Sequence, residues 1–266
     1  MKTVLSVAGS DCSGGAGIQA DLKTFSAHGV FGMNVIISVV AENTSRVIDF
    51  QDISGDIIGK QFDAVFEDIH VDAVKIGMLS SAGCMEAVHN KLIEYRPSNI
   101  VIDPVMCAKN GSPLMDPSAV GCLIELIVPF ADVLTPNIPE AEKLADMSIT
   151  SLKDMEQAAA CIFRMGCRNV LLKGGHFKGN AVDILFDGNS YHHFVAPRID
   201  TKNTHGTGCT YSSAIASNLA LGFETVPAIS RAKVYMNMVI EHSLDIGHGN
   251  GPTNHFYDLY KNGLKD

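Results

Sequence analysis

The sequence predicts an α/β sandwich, in which helices cover a buried and mostly parallel β-sheet. Short apolar runs bounded by glycine or proline alternate with longer amphipathic segments along the chain, which is the pattern of successive β-α units. No internal repeat and no linker rich in proline, glycine and serine interrupts this pattern. We therefore expect residues 1–266 to form one domain, as chains of this length often do.

Six apolar runs are predicted strands of the parallel sheet, and a later pair predicts an antiparallel hairpin on it. The six strands are Thr3 to Ala8, Val35 to Ala41, Ala73 to Ile76, Ile100 to Asp103, Val133 to Thr135 and Val170 to Lys173. The hairpin strands are Val182 to Phe186 and His192 to Val195. We expect this hairpin to be scaffold rather than part of a site.

Helices are expected where apolar residues return every three or four positions. The clearest are Gly17 to His28, Asp56 to Ile69, Ala82 to Tyr95, Ser151 to Met165, Thr207 to Leu221 and Val226 to Leu244. In open α/β sheets, ligands collect beyond the carboxyl ends of the strands. The residues that follow each predicted strand are therefore the candidates for a site.

Charge and cysteine content narrow the class of partner. A net charge of −9 disfavours nucleic acid and anionic membranes, since both require clustered lysine and arginine. The seven cysteines form no C-x-x-C pair and no metal-ligand spacing, which fits a reduced, cytoplasmic protein. The start of the chain lacks the apolar stretch of a signal peptide.

The first candidate motif is the glycine loop from Gly9 to Gly17, which follows the first predicted strand and opens a helix. Glycine permits unusual dihedral angles and close approach of backbone to a ligand. The loop is not a Walker A motif, because Gly15 stands where that motif requires a lysine, and it also lacks the pattern G-x-G-x-x-G. A tight strand-to-helix turn without a ligand is the alternative.

The second motif is His205-Gly206-Thr207-Gly208-Cys209, at the start of a long predicted helix. Free N–H groups at a helix N-terminus suit an anion, so phosphate binding is predicted here. The same positive field is expected to lower the pKa of the Cys209 thiol. A glycine turn followed by a small buried cysteine is the alternative.

Charged and amide side chains follow three further strands. Asn137 and Glu140 lie three residues apart and could hold magnesium through oxygen, but a helix N-cap at Asn137 is equally compatible. Asp103 and Lys173 each stand at a strand end, and Lys109 lies in the loop after Asp103. A lysine there can meet phosphate oxygens as a point charge.

The ordered set of motifs resembles one enzyme family. It comprises Ala8 to Thr24, Lys75 to Leu79, Asp103 to Met106, Thr135 to Asn137, Lys173 to His176, Asn203 to Thr210 and Gly249 to Phe256. With these segments the sequence resembles the hydroxymethylpyrimidine/phosphomethylpyrimidine kinases of thiamine biosynthesis, in the ribokinase-like superfamily. The resemblance implies a three-layer αβα sandwich with a central, mostly parallel sheet.

The resemblance also implies ATP and Mg²⁺ as cofactors and gives roles to the motif residues. Cys209 would accept the proton of the substrate hydroxymethyl group, while the backbone of Gly206, Thr207 and Gly208 holds the γ-phosphoryl oxygens. Positive charge would come from Lys173 and magnesium. The implied metal ligands are Asp103, Asn137 and Glu140. The implied nucleotide contacts are Lys173, Asn137, Thr207, Gly208 and Lys233.

The substrate pocket implied by the resemblance contains one departure from the family pattern. Its lining would be Gly9, Asp11, Ala16, Gly17, Glu42, Val105, Met106 and Cys107, with Ala108 in the same closing loop. Glu42 stands where the family usually has glutamine. An ionised carboxylate only accepts hydrogen bonds, so Glu42 would favour a ligand with two donors, and a phenolic pyridoxine-like substrate stays open.

Two reactions are implied: phosphorylation of 4-amino-5-hydroxymethyl-2-methylpyrimidine, and then of its monophosphate to the diphosphate. The alternative is a pyridoxal kinase, a branch that carries a second cysteine directly before the lid lysine. Here Ala108 precedes Lys109 and Cys107 lies one place earlier, which in an extended loop points the thiol to the other side. Relatives are commonly homodimers.

Two functions of other classes compete with a kinase. A nicotinamide-dependent oxidoreductase also has a glycine loop after its first strand, but this loop lacks the dinucleotide fingerprint. A binding protein for vitamin precursors could keep the fold without activity. The intact set Cys209, Lys173, Asn137 and Glu140 argues against it.

Overall fold

An eight-stranded sheet forms the centre of the computed structural model, which describes residues 1–108, 111–175 and 179–263. The spatial strand order is β10-β9-β8-β7-β6-β5-β1-β2, and only β9 runs against the others. The strands are β1 (Thr3–Ala8), β2 (Phe31–Ile36), β5 (Ala73–Ile76), β6 (Ile100–Ile102), β7 (Val133–Leu134), β8 (Val170–Leu172), β9 (Ala181–Phe186) and β10 (Tyr191–Ala196). The predicted α/β sandwich and its antiparallel hairpin are confirmed.

A separate ribbon of two antiparallel strands lies beside the main sheet. It consists of β3 (Ser38–Glu42) and β4 (Val47–Asp52). The single strand predicted from Val35 to Ala41 was therefore wrong, because the chain leaves the main sheet at Ile37. Apolar residues continue through this break, since Ile37 is itself buried, so hydrophobicity gave no sign of it.

Helices cover both faces of the sheet, each with its own apolar core. The helices are α1 (Gly17–Ala27), α2 (Gly55–Phe66), α3 (Ala82–Tyr95), α4 (Val120–Cys122), α5 (Ile138–Ala145), α6 (Leu152–Phe163), α7 (Thr207–Ala220), α8 (Thr225–Glu241) and α9 (Tyr257–Asn262). Buried side chains of α1, α7 and α8 share one core, and those of α2, α3, α5 and α6 share the other. The result is three layers, αβα.

Sequence periodicity missed the shorter helical segments. The chain from Pro117 to Phe130 passes through 3-10, α and π turns, and such irregular turns do not repeat every 3.6 residues. The eight-residue helix α5 was absent from the predicted helices, although a helix N-cap at Asn137 was one of the two interpretations of that segment. It begins at Asn137 with a capping box, in which Asn137 and Glu140 each accept a hydrogen bond from the other's backbone.

The parallel strands place the candidate loops at one edge. The loops after β1, β5, β6, β7 and β8 all leave the carboxyl ends of adjacent parallel strands, where α/β folds bind ligands. No helix in the described ranges is long and apolar enough to cross a bilayer. Lys109 and His176, two motif residues, lie outside the described residues.

The core facing α2 and α3 gives a stability prediction. Phe62 is fully buried and stacks with Phe66 at 6.1 Å between ring centroids. We expect Phe62→Ala to lower the free energy of unfolding by about 3–5 kcal/mol in urea denaturation, through lost burial and the cavity left behind. Ile57→Ala, on the same helix but 46% exposed, should change it by less than about 0.5 kcal/mol. Similar losses in both variants would contradict this packing.

Candidate active site

A cavity of about 650 Å³ opens beyond the carboxyl edge of the sheet. Among the residues that the structure describes, its lining includes every sequence-predicted site residue except one. The residues are Gly9, Ala16, Gly17, Glu42, Asp103, Val105, Met106, Cys107, Asn137, Glu140, Lys173, Gly206, Thr207, Gly208, Cys209 and Lys233. Asp11, predicted to line the substrate pocket, is buried within the first glycine loop and is not among the residues that line the cavity.

Asp11 holds that loop in shape. Its carboxylate accepts hydrogen bonds from the backbone of Ser13 (2.7 Å), Gly15 (2.9 Å) and Ala16 (2.7 Å), and pairs with the His205 ring at 2.8 Å. Burial would raise the pKa of Asp11, but these partners, led by His205, lower it well below its usual range. The same pairing outweighs burial and raises the pKa of His205.

Besides the Asp11–His205 pair, the two glycine loops touch through their backbones. Gly206 has φ +74°, and a Cβ there would lie 1.8 Å from the Gly15 carbonyl oxygen. Gly17 has φ +56°, and a Cβ there would lie 2.5 Å from the Gly9 carbonyl oxygen. A side chain at either position is excluded by both space and conformation. Gly15 and Gly206, 191 residues apart in the sequence, are thereby brought together at the cavity.

The N-terminus of α7 also lines the cavity. Its N-cap, Gly206, has no side chain to cap the helix. The Thr207 N–H donates to the Thr204 carbonyl at 3.3 Å, and the N–H groups that follow it suit an anion. The predicted lowering of the Cys209 pKa was wrong. Burial, together with the charges of Asp21 and Asp103, raises the pKa of Cys209 to about 11, although Lys75 and a hydrogen bond from the Gly17 N–H oppose the rise.

Lys173 and Asp103 form an ion pair beside this helix start. Lys173 Nζ lies 2.6 Å from Asp103 Oδ1, which also accepts from the Thr135 hydroxyl at 3.1 Å. The other oxygen, Oδ2, would lie 3.0 Å from a Cβ at Gly208. Only glycine at this position lets the carboxylate approach the helix so closely.

Glu140 adds a second buried carboxylate near Lys173. Burial raises the pKa of Glu140 to about 7, with Lys173 opposing the rise and Asp103 reinforcing it. Two carboxylates thus share one ammonium. Asn137 and Glu140 were open to two interpretations, helix cap or metal ligands, and the cap is formed. The cap already uses one oxygen atom of each side chain, so each has fewer lone pairs left to bind a ligand.

Lys233 and Asp183 form another ion pair, at 2.6 Å, on the cavity wall. Asp183 also accepts from the Gly174 N–H at 3.0 Å, and the Tyr211 hydroxyl, buried in the described part of the chain, has no hydrogen-bond partner. Asp183 and Tyr211 were missed. The hairpin that carries Asp183 was predicted to be scaffold alone. The aspartate within the apolar strand β9 was the sequence signal that this hairpin also lines the cavity.

The far end of the cavity is apolar with one carboxyl group. Val40, Met78 and Leu114 form a small buried cluster, against which Val105 and Ala108 pack. Cys107 is exposed and pairs as an isolated bridge with Pro113. This lining suits a small flat ring with few polar groups.

Glu42 reaches the cavity because β3 has left the main sheet. The Ser10 N–H donates to the Ser38 carbonyl at 2.8 Å, which fixes the ribbon beside the first glycine loop. Side-chain atoms of Glu42, Asp11 and His205 lie within 4.8 Å of one another. Burial, then the charge of Asp11, raises the pKa of Glu42 to about 7, against the opposing charge of His205.

Comparison with known proteins agrees with this geometry. Residues 11–254 match the family model described as phosphomethylpyrimidine kinase. The chain belongs to this family. The kinase of Rhizobium meliloti named hydroxymethylpyrimidine/phosphomethylpyrimidine kinase is 47% identical, over 97% of this chain and 98% of its own length. The thiamine biosynthesis bifunctional protein ThiED of Geobacter sulfurreducens is 51% identical over 95% of this chain, which spans about half (52%) of that protein.

Solved structures include both kinds of vitamin kinase. The ADP complex of Bacillus subtilis pyridoxal kinase superposes with a TM-score of 0.90 at 38% identity, covering 98% of this chain and all of that one. The phosphomethylpyrimidine kinase of Clostridium difficile 630 superposes with 0.81 at 45% identity, covering 90% of this chain and all of that one. The ribokinase-like fold is confirmed, and this member of the phosphomethylpyrimidine kinase family is a phosphotransferase.

The position of Glu42 predicts a pH-dependent stability. A carboxyl group whose pKa rises on folding, here from 4.5 to about 7, stabilises the fold at low pH, and this contribution is lost as the pH rises from about 4.5 through 7. Glu42→Gln lacks the ionisation. We expect its melting temperature to exceed that of the parent at pH 8, by roughly 2–4 °C for each 1 kcal/mol of relieved destabilisation, and to match it near pH 5.

Glu67→Gln removes the same charge from an exposed position on the protein surface and serves as the control. Its melting curve against pH should run parallel to that of the parent. A parallel curve for Glu42→Gln as well, measured by differential scanning calorimetry between pH 5 and 8, would contradict the assigned electrostatics of Glu42.

Proposed function

We propose that this protein phosphorylates 4-amino-5-hydroxymethyl-2-methylpyrimidine with ATP and Mg²⁺, first to the monophosphate and then to the diphosphate, in thiamine biosynthesis. One observation carries the proposal. A single cavity joins an uncapped helix N-terminus with Cys209 and Lys173 to an apolar end that contains Glu42. Such a cavity can hold a transferring phosphoryl group and a small ring together. The names of the Rhizobium and Clostridium relatives support the pyrimidine as substrate.

The transfer itself needs position and charge more than covalent chemistry. The thiolate form of Cys209 takes the proton of the substrate hydroxyl, whose oxygen attacks the γ-phosphorus of ATP, and the bond from the γ-phosphorus to the β-γ bridging oxygen breaks to release ADP. The N–H groups of Gly206, Thr207 and Gly208 are proposed to hold the negatively charged γ-phosphoryl oxygens. Lys173 lies beside them and neutralises part of this charge. Lys233, which also lines the cavity, is proposed as a nucleotide contact.

Asp103, Asn137 and Glu140 are the proposed magnesium region. Their oxygens suit Mg²⁺, and the excess of two buried carboxylates over the one ammonium of Lys173 favours a cation there. Since both Asn137 and Glu140 also cap α5, they would act partly through coordinated water. Magnesium, when bound, would neutralise charge on the β- and γ-phosphates.

Neutral Glu42 matches the pyrimidine better than an ionised side chain. With a pKa near 7, the carboxyl group is protonated in about half of the molecules at neutral pH, and then it both donates and accepts. An aminopyrimidine presents the complementary amino donor and ring-nitrogen acceptor. The expectation that Glu42 requires two donors therefore applies only to the ionised form.

Pyridoxal phosphorylation is the second candidate, because pyridoxal kinases share the fold at TM-scores of 0.88 to 0.90. Steady-state kinetics on hydroxymethylpyrimidine, its monophosphate and pyridoxal decide between them. We expect the highest kcat/KM for hydroxymethylpyrimidine. A higher value for pyridoxal would select the second candidate, and absence of ADP release with every substrate would select a binding protein.

Cys209→Ala should separate the two phosphorylation steps. Only the hydroxymethyl oxygen carries a proton that must leave, and a general base contributes about 10² to 10⁴ in rate. We therefore expect kcat for the alcohol to fall by roughly that factor and kcat for the monophosphate to fall much less, measured by ADP release. Cys122→Ala, in α4 and outside the cavity lining, is the matched control. Equal losses in both steps would show that Cys209 positions phosphate instead.

Residence in a reducing compartment is also proposed. All seven cysteines are free, which suits the cytoplasm.

Assembly as a homodimer completes the proposal. The β3–β4 ribbon exposes Val39 (53%), Ile48 (62%) and Phe50 (41%), and exposed apolar groups of this kind favour association of two copies.

Sedimentation equilibrium tests the dimer. We expect the parent to sediment at twice the 28.5 kDa chain mass, and Phe50→Glu to sediment near the monomer mass because a charge would be buried without a partner. Tyr260→Glu introduces the same charge on α9, at a residue that is 76% exposed, and should leave the dimer intact. A monomeric parent would contradict the proposal.

A further inference from the structure

A completely buried ion pair lies next to Cys209 and has no part in the roles described above. Lys75 on β5 and Asp21 on α1 expose no surface, and Lys75 Nζ lies 2.9 and 2.8 Å from the two oxygens of Asp21. The hydroxyls of Ser6 (2.6 Å) and Ser213 (2.7 Å) donate to the same carboxylate. Burying such a pair is costly and an apolar replacement is often at least as stable, so stability alone is a weak reason for it.

The ion pair is linked to the Cys209 thiol through helices α1 and α7, which lie side by side. Cys209 and Ser213 lie four residues apart on one face of α7, and Gly17 and Asp21 lie four apart on one face of α1. The Gly17 N–H bonds to the Cys209 sulfur, and the Ser213 hydroxyl bonds to Asp21. Both helix N-termini therefore meet at the sulfur. Ser213 and Asp21, which contact each other beside Lys75, therefore lie one helical turn, about 5.4 Å of helix length, beyond Cys209 and Gly17.

The ammonium of Lys75 points toward the cavity edge of the sheet. A Cβ at Gly77, just beyond the end of β5, would lie 2.8 Å from Lys75 Nζ. Four charged groups interact electrostatically with the Cys209 thiol. They are Lys75 on β5, Asp21 on α1, Asp103 after β6 and Lys173 after β8. Of the charges that act on Cys209, Lys75 has the largest effect and favours the thiolate, while Asp21 and Asp103 oppose it.

We propose that Lys75 is a positioning residue that stabilises the thiolate of Cys209, with Asp21 holding its ammonium beneath the sulfur. Before proton transfer, the Lys75–Asp21 pair is neutral as a whole and tolerates burial. The sulfur has to be the negatively charged thiolate to accept the substrate proton, and the charge of Lys75 favours that form. The inference rests on the proposed function only where turnover is concerned, because the ionisation of the thiol can be measured without any substrate.

The test compares the pH dependence of two rates in the parent and in the double variant Asp21→Asn/Lys75→Met, which removes both charges and leaves no unpaired ion. The first is alkylation of Cys209 by iodoacetamide, followed by mass spectrometry of its peptide so that exposed Cys12 and Cys107 do not interfere. The second is kcat for the alcohol substrate. We expect Cys209 alkylation at pH 8 to slow at least about tenfold, the effect of one pKa unit, and the alkaline rise of kcat to move to higher pH.

Ser217→Ala is the matched control. Ser217 is fully buried on α7, one turn beyond Ser213, and its hydroxyl donates to the Ser213 backbone carbonyl at 2.8 Å. Both profiles should stay unchanged in this variant, even if its melting temperature falls.

If the double variant does not fold, a single substitution that keeps both charges tests the effect of the ion pair on the thiol. Ser213→Ala keeps both charges but removes one hydroxyl donor, so the charge of Asp21 is less dispersed and opposes the thiolate more strongly. We expect a smaller shift of the alkylation profile in the same direction. An unshifted profile, or one that moves to lower pH, overturns the proposal. Loss of turnover with an unshifted alkylation profile would give Lys75 a purely structural role and leave the proposed kinase function standing.

Discussion

The close contact between two backbone loops, at Gly15 and Gly206, is the constraint on which the site depends. It exists because neither glycine has a side chain and because Asp11 gathers the first loop with three backbone hydrogen bonds. His205, next to Gly206, pairs with the same carboxylate. One buried charge thus fixes the position of both loops, and with them the N-termini of α1 and α7 that border the cavity.

Electrostatics in this cavity is set by burial as much as by helix ends. A helix N-terminus favours an anion, yet the pKa values of Cys209, Glu42 and Glu140 are all raised, with burial as the first cause. Acidic groups without their ligands are therefore held more in the neutral form. A positive charge brought close by a metal ion or a lysine would lower these pKa values again. Binding of a substrate with its metal would then release protons.

The selectivity of the site follows from where the chain leaves the sheet. The break at Ile37 carries β3 over the carboxyl edge and sets Glu42 opposite the loop that contains Val105 and Cys107. The same ribbon exposes the apolar side chains proposed for the dimer contact. Ligand recognition and assembly would then share one two-stranded element, whereas phosphoryl transfer depends on the main sheet and α7.

The sequence by itself determined the α/β class, the antiparallel hairpin, most long helices and the loops that carry Gly9, Asp103, Asn137, Lys173 and Cys209. These depend on local periodicity and on glycine, which are visible along the chain. Tertiary structure alone decided that Asp11 supports a loop instead of lining the cavity, that β3 leaves the sheet, and that Lys75 and Asp21 pair beside the thiol. Each of these depends on contacts between distant segments and on burial, and burial reverses the pKa shift that the helix start of Cys209 suggested.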